Sequence, residues 1–336
     1  MQTRKLGFTD LHLTTVGLGT WAIGGGDWYW GWGPQDYKES VDTIHRALDL
    51  GINWMDSAAA YGLGRSEELI AKAIRGRRDE VIIATKCGLV WDENDRTADV
   101  TPRLKAASVR REAEDSLRRL NVEMIDLYQI HWPTPEEDIE EGWGVIADLV
   151  KEGKVRYAGV SNFNVEQLKR IQPIHPVASL QPEYSMLKRG AENELLAYCA
   201  ANDIGVIAYS PLRSGILTDG FGLERLATMS DDDWRQRDAD FQEPSASVNV
   251  AFVEKFRQIA RREKRPLSHL AIAWVLARPE VTAAIVGARR PSQIESSAPA
   301  ADWQLSAELM AEIESLLAER ETKLVEAGVE APESLR

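Results

Sequence analysis

The chain reads as an α/β protein whose eight short strands close into a (β/α)8 barrel, the TIM-barrel architecture, with an N-terminal β-hairpin cap and an added C-terminal helix. Three observations predict this. Eight apolar runs, rich in Val, Ile and Tyr, begin near Val16, Asn53, Val81, Ile125, Val155, Val177, Ile204 and Thr282, and most are about five to seven residues long, the length of buried strands. Helical periodicity fills the segments between them, so strands alternate with helices and the sheet is parallel. Ionisable residues then close three successive runs: Asp56, Lys86 and His131. Charge at the end of a buried strand is costly unless paired, so one shared pocket at one rim of the barrel is expected.

The elements follow in order. Residues 3–14 read as two short alternating segments around Gly7-Phe8-Thr9-Asp10, a hairpin that caps the bottom of the barrel. Leu69, Ala73 and Ile74 share one helix face, as do Val109, Ala113, Leu117 and Leu120 further on. In that second helix Arg110-Arg111 and Arg118-Arg119 interleave with Glu112, Glu114 and Asp115. The pattern reads as a solvated face with internal ion pairs, not an anion site. Residues 210–247 form a long polar segment after the seventh strand, with Gly215, Gly220, Gly222 and an acidic stretch around Asp231-Asp232-Asp233. A loop of that length in a compact domain is functional or disordered. A helix is expected from about Ser306 to Glu321, and residues 322–336, with Pro332, as a mobile tail. Nothing resembles a linker, so residues 1–336 are expected to form a single domain.

Composition narrows the classes of function. A net charge of −13 argues against a sequence-independent grip on nucleic acid or anionic membrane. No apolar stretch approaches the ~20 residues of a spanning helix, and Met1-Gln2-Thr3-Arg4-Lys5-Leu6 lacks the apolar core of a signal peptide. Two cysteines, Cys87 and Cys199, make no disulfide framework. A cytoplasmic protein is the expectation. Cys87 adjoins Lys86, but strand neighbours point to opposite faces, so an inert buried thiol is expected.

Gly17-Leu18-Gly19-Thr20-Trp21-Ala22 matches the dinucleotide fingerprint G-x-G-x-x-G/A. The fingerprint requires a helix to open at the turn, and Ile23-Gly24-Gly25-Gly26-Asp27-Trp28 is a poor helix start. A Rossmann domain is therefore rejected. A better phosphate signal stands near the other end. Strand Val281–Gly287 leads through Ala288-Arg289-Arg290 into a helix opened by Pro291. Glycine, backbone N–H groups and arginines at a helix start suit a phosphate monoester.

At this point the chain resembles the aldo-keto reductases over nearly its whole length. The resemblance rests on Gly17-Leu18-Gly19-Thr20-Trp21, Asp56-Ser57-Ala58-Ala59-Ala60-Tyr61-Gly62, Ala84-Thr85-Lys86 and Asp126-Leu127-Tyr128-Gln129-Ile130-His131. It continues through Gly159-Val160-Ser161-Asn162-Phe163, Gln181-Pro182-Glu183-Tyr184 and Ala208-Tyr209-Ser210-Pro211-Leu212, in the family's order. The stretch Gly287-Ala288-Arg289-Arg290-Pro291-Ser292-Gln293 looks most like the bacterial general-stress-protein branch. The resemblance implies a barrel that binds NADPH/NADP without a Rossmann domain and reduces aldehydes or ketones to alcohols. It implies Tyr61 as proton donor, tuned by Lys86 and Asp56, with His131 positioning the substrate carbonyl. Ser161, Asn162 and Gln181 match residues that hold the nicotinamide carboxamide, and Tyr209 matches the ring stacked on the nicotinamide. Ser210, Leu212, Ser214 and Gly215 match a loop covering the pyrophosphate, Gly287 the close approach to it, and Arg289 and Gln293 the grip on a 2′-phosphate. Thr20 and Trp21 fall on the cofactor side of the first loop. Relatives carry a Glu-Asn pair for adenine, where this chain has Ser296 and Ser297. The family's common state, a monomer, is implied as well.

Chemistry supports the assignment. Hydride addition builds negative charge on the carbonyl oxygen, and a donor must neutralise it. An ammonium beside the phenol is expected to lower its pKa by about two units, or ~2.7 kcal/mol. A neutral His131 can donate a hydrogen bond to the carbonyl. Of 11 tryptophans, Trp21 and Trp132 are expected to form an aromatic wall for an apolar or aromatic carbonyl substrate. Trp28, Trp30 and Trp32 stay undivided between substrate contact and loop anchoring, and Trp91 follows the third strand. The intact set Asp56, Tyr61, Lys86 and His131 favours an enzyme over the alternative, a slow-turnover NADPH-sensing regulatory subunit of the same fold. A metal-dependent hydrolase would need a His/carboxylate cluster at the rim. His12, His45, His131, His175 and His269 offer one strand-end ligand, so no metal is expected.

Overall fold

The computed structural model describes residues 1–229 and 233–329. Its framework is a closed barrel of eight parallel strands. A hairpin of β1 (Thr3–Lys5) and β2 (His12–Thr14) comes first, and β3 (Val16–Gly19) then opens the barrel. Next come α1 (Tyr37–Asp49), β4 (Trp54–Asp56), α2 (Arg65–Ala73) and β5 (Ile82–Cys87). A small second hairpin, β6 (Leu89–Val90) and β7 (Thr101–Pro102), stands on the rim. Then follow α3 (Ala106–Leu120), β8 (Ile125–Ile130), α4 (Ile139–Lys151), β9 (Val155–Ser161), α5 (Val165–Ile171) and β10 (Ser179–Gln181). The chain continues through α6 (Leu195–Ala201), β11 (Gly205–Ala208), α7 (Leu223–Ala227), α8 (Ser245–Arg262), α9 (Leu267–Leu276), β12 (Val281–Gly287), α10 (Pro291–Ser297) and α11 (Ala307–Glu326). Barrel order is β3-β4-β5-β8-β9-β10-β11-β12, with β12 pairing back to β3 from Ala284↔Val16 to Gly287↔Gly19.

The hairpin plugs the bottom of the barrel as expected. Leu6, Leu11 and Leu13 pack into an inner core with Trp54, Ala84, Leu127, Ala178, Ile207, Ala283 and Ile285. A Cβ on Gly17 would lie 2.1 Å from the Trp54 ring, so glycine there is the space the indole occupies. The outer helices bury their apolar stripes on the strands, with Val109, Ala113 and Leu120 of α3 buried. Local signals set the helix ends. The Asp36 carboxylate accepts from Lys38 N and Glu39 N to open α1, and Asn164 with Gln167 forms a capping box on α5. Arg110, Arg118 and Arg119 are ion-paired to Glu152, Asp115 and Glu67. The Glu67 side chain is fully buried, so Arg119 also ties α3 to α2.

Two expectations need correction, and one element is new. The segment 210–247 is not an open polar loop: it holds short helical turns at Arg213–Gly215, Trp234–Arg237 and Ala239–Phe241, α7, and the start of α8. Buried Ile216, Leu217, Phe221, Trp234 and Phe241 hold it down. The buried Arg213 guanidinium also clamps it, pairing with Asp238 and Asp240. The last helix runs on to Glu326, because Leu324 is also buried and continues its apolar face. The β6–β7 hairpin was not foreseen; each strand is only two residues long, too short for an alternating pattern. Of the acidic stretch, Asp231 and Asp232 lie outside the described residues, as does Pro332. Among the described residues no helix is long and apolar enough to cross a membrane.

Candidate active site

Asp56 ends β4, Lys86 is the last residue but one of β5, and His131 follows β8, so parallel strands deliver all three to the same rim. Tyr61 lies in the turn between β4 and α2. Lys86 is the hub. Its Nζ donates to Asp56 Oδ2 at 2.7 Å, to the Ser57 carbonyl oxygen at 2.8 Å and to Tyr61 Oη at 3.2 Å. These use all three ammonium protons. The His131 ring stands edge-on to Tyr61, 5.6 Å between centroids and 78° between planes. Gln181 Nε2 donates to Asp56 Oδ1 at 2.8 Å, fixing the other side of the carboxylate. The four residues therefore cluster at one rim, with Asp56 and Tyr61 lining one cavity, Tyr61 and His131 the other, and Lys86 buried behind them.

Their electrostatics are set mainly by burial. Desolvation lowers the Lys86 pKa, with Asp56 and Glu67 pulling it back up. Desolvation and the Lys86 charge hold His131 well below its ordinary value, so the imidazole is neutral. Tyr61 departs from expectation. Burial, aided by the Asp56 charge, raises its pKa well above the usual value. The lysine cation was expected to lower it, but Asp56 offsets that cation at 2.7 Å. The resting phenol is thus firmly protonated. Its oxygen accepts from Lys86, which leaves its own proton available to another acceptor.

Two cavities meet at this network. The larger, about 750 Å³, is a cleft lined by Thr20, Trp21, Asp56, Tyr61, Tyr209, Ser210, Leu212, Ser214, Gly215, Gly287, Arg289 and Gln293. These include most of the residues expected on the cofactor. The smaller, about 470 Å³, is lined by Trp21, Tyr61, His131, Trp132, Ser161, Asn162, Gln181 and Tyr209. Tyr61, Trp21, Tyr209, Ser210 and Ser214 border both. Asn162, in left-handed backbone at φ 64°, lines the smaller cavity beside Tyr209, which borders both. Its Nδ2 donates to the His131 carbonyl oxygen at 3.0 Å, and its Oδ1 accepts from Tyr209 Oη at 2.9 Å.

A nicotinamide dinucleotide fits the cleft. Arg213, Ser214 and Gly215 are consecutive positive-φ residues at 44°, 52° and 98°, a strained turn of the kind held at ligand sites. A Cβ on Gly287 would meet nothing within 4 Å, so backbone is bare where the cleft passes β12.

The structure places the other singled-out residues as follows. The Arg289 guanidinium is bound to the first loop: Nε donates to Gln35 Oε1 at 2.8 Å, Nη1 to the Trp32 carbonyl at 2.9 Å, and Nη2 to the Pro34 carbonyl. Gln293 Oε1 accepts from Arg289 N at 2.7 Å. Ser296 and Ser297, the expected adenine positions, line neither cavity. The Ser296 carbonyl oxygen bonds the His269 ring, and Ser297 is buried within α10. Trp28 and Trp30 line the smaller cavity and Trp32 the larger, so the cluster divides between them. Trp91 lines neither and lies beneath Arg119. Trp132, 43% exposed, lines the smaller cavity. Sequence reasoning missed Trp234, whose ring lies 5.2 Å from Trp21 and 5.6 Å from Trp32, and Leu89, Val100 and Pro102 of the β6–β7 hairpin. A tryptophan inside the long segment was the one available signal. Cys87 is buried, and burial pushes its thiol well up, as an inert thiol requires.

Comparison with known proteins agrees with this geometry. The model of the aldo/keto reductase family matches residues 15–318. Aldo-keto reductase YhdN of Bacillus subtilis strain 168 is 38% identical over 320 residues, 94% of each chain. An NADH-specific methylglyoxal reductase of Escherichia coli K12 is 33% identical over 91% of this chain and 95% of its own. The solved structure of a glycerol dehydrogenase from Gluconobacter oxydans superposes with a TM-score of 0.86 at 37% identity, covering 95% of this chain and 96% of that one. The chain belongs to the aldo/keto reductase family. It is a nicotinamide-dependent oxidoreductase acting on carbonyl compounds.

Proposed function

We propose that this chain reduces aldehydes or ketones to alcohols with NADPH, using Tyr61 as the general acid. The observation that carries the reading is the lysine hub: one buried ammonium bonds both the Asp56 carboxylate and the Tyr61 hydroxyl, with a neutral imidazole across from it. A bound nicotinamide supplies the hydride. The chain's residues do the rest. His131 donates a hydrogen bond to the carbonyl oxygen and fixes its approach to Tyr61. Tyr61 passes its proton to that oxygen as negative charge develops there. Lys86 stays in place to stabilise the phenolate left behind, and Asp56 and Gln181 hold Lys86 in line. Proton and charge are then handled without reorganisation.

Ser161, Asn162, Gln181 and Tyr209 are proposed to seat the nicotinamide where the cavities join, with Thr20 and Trp21 on the opposite wall. Ser210, Leu212, Ser214, Gly215 and Gly287 border the proposed path of the pyrophosphate. Preference for NADPH over NADH is read from Arg289, Arg290 and Gln293, which all line the cleft. Trp21 and Trp132 are proposed to contact an apolar or aromatic substrate, acting in a monomeric, cytoplasmic enzyme with no metal. Following NADPH absorbance at 340 nm with a panel of aldehydes tests the reading. Aldehyde-dependent oxidation is expected; tight cofactor binding with no turnover on any of them would count against it.

A further inference from the structure

The smaller cavity is charged as well as aromatic. Trp21, Trp28, Trp30, Trp132 and Trp234 line it. Three carboxylates also line it: Asp99, Glu183 and Asp238. The cationic side chain in its lining is Arg213, and that guanidinium is already committed. Its Nη1 lies 3.3 Å from Glu183, Nη2 2.7 Å from Asp238, and Nε 2.7 Å from Asp240 outside the cavity. Arg213 is buried, so it cannot swing out to meet a ligand. Asp99 is exposed, and the bonds it accepts come from neutral groups, Trp30 Nε1 at 2.8 Å and Val100 N at 2.7 Å. The lining thus carries three acids against one saturated base. His131 adds no charge, being neutral.

From this we infer that the carbonyl pocket selects by charge: it takes neutral or cationic aldehydes, quaternary ammonium aldehydes included, and rejects those bearing a carboxylate or phosphate. The inference rests on the reading of this cavity as the carbonyl pocket. Two physical effects act in the same direction. A cleft lined by one sign of charge raises the local concentration of the opposite sign. Indole faces attract a cation within about 6 Å of the ring. An anion meets neither, and among the described residues no cationic lining side chain is left to pair with it. Burial raises the Glu183 pKa. With Glu183 protonated, Asp99 and Asp238 still outnumber Arg213.

The test uses three aldehydes with the same para-alkoxy benzaldehyde ring, so that the reacting carbonyl is electronically constant. Their alkoxy chains end in a carboxylate, a methyl ether or a trimethylammonium group. Dissociation constants come from tryptophan fluorescence quenching on the protein loaded with oxidised cofactor, which cannot reduce the aldehyde, and kcat/KM from NADPH oxidation. Affinity is expected to rise from carboxylate to ether to ammonium, about ten-fold or more from end to end at low ionic strength, and to converge as salt is added. Asp99→Asn, which keeps the acceptor for Trp30, is expected to narrow the spread with the ether as internal reference. Equal affinities, or tighter binding of the carboxylate, would overturn the charge inference. Binding in the expected order without turnover of the ether would instead sink the reductase reading and leave the charge order standing.

Discussion

Replacing Asp56 by Asn isolates the step from carboxylate to ammonium to phenol. The side chain keeps its shape and an oxygen that can face Lys86, but the charge is lost. Lys86 and Asp56 are almost wholly inaccessible, 2.7 Å apart, and burial already lowers the lysine pKa. A hydrogen bond between charged partners contributes about 1.5–3 kcal/mol more than nothing in its place. At 1.36 kcal/mol per pKa unit, the variant's Lys86 falls by roughly one to two further units. Glu67 still supports the ammonium, which limits the fall. Because the protonated lysine stabilises the phenolate left behind, activity is lost as Lys86 deprotonates. The alkaline limb of kcat is therefore expected about one to two units lower in the variant. Stability carries the same signature. A lysine whose folded pKa lies below its unfolded value penalises the fold at low pH, and the penalty fades as pH rises towards about 10.4. Urea midpoints measured from pH 7 to 10 should rise more steeply in Asp56→Asn than in the native protein. An unmoved alkaline limb with parallel midpoints would refute the claim that Asp56 keeps Lys86 charged.

Three further perturbations probe the frame around that network. Arg289→Ala removes the proposed 2′-phosphate partner and the tie to Gln35 and the Trp32 carbonyl. It should weaken NADPH more than NADH, by roughly ten-fold for a lost charge-assisted pair, in titrations of both cofactors; an unchanged ratio would remove Arg289 from cofactor choice. Trp132→Ala should raise KM for aromatic aldehydes more than for small ones, and equal changes would place Trp132 outside the substrate contact. Gly17→Ala drives a Cβ into the Trp54 ring 2.1 Å away. A loss of about 1–3 kcal/mol in urea denaturation is expected, and Trp54→Phe in the same chain should return part of it.

Much of the architecture was legible because a parallel barrel writes itself as repeated apolar runs. Val16, Ile125 and Val155 begin strands where the runs begin. The cluster of Asp56, Tyr61, Lys86 and His131 was legible because strand order brings these positions to one rim. What stayed hidden depends on long-range contact. Nothing local announces that Arg289 reaches back more than 250 residues to Gln35, or that Trp234 packs on Trp21 and Trp32. The long segment misled because its polar residues are largely turn and clamp residues, while the apolar anchors Ile216, Phe221 and Phe241 stand too far apart to form a period. The Tyr61 pKa was misread because the sequence shows a cation near a phenol but not how completely the fold buries that phenol, which is the larger effect, with the Asp56 charge adding to it. Ser296 and Ser297 were placed by analogy, and α10 points them elsewhere.

Tyr61→Phe bears most directly on the central claim. The ring still fills its place between Trp21 and His131, and only the hydroxyl that accepts from Lys86 is gone. Single-turnover reduction of an aldehyde by the cofactor-loaded variant should slow by about 10²–10⁴-fold, with cofactor affinity close to native. Reduction at the native rate would contradict a Tyr61 proton donor.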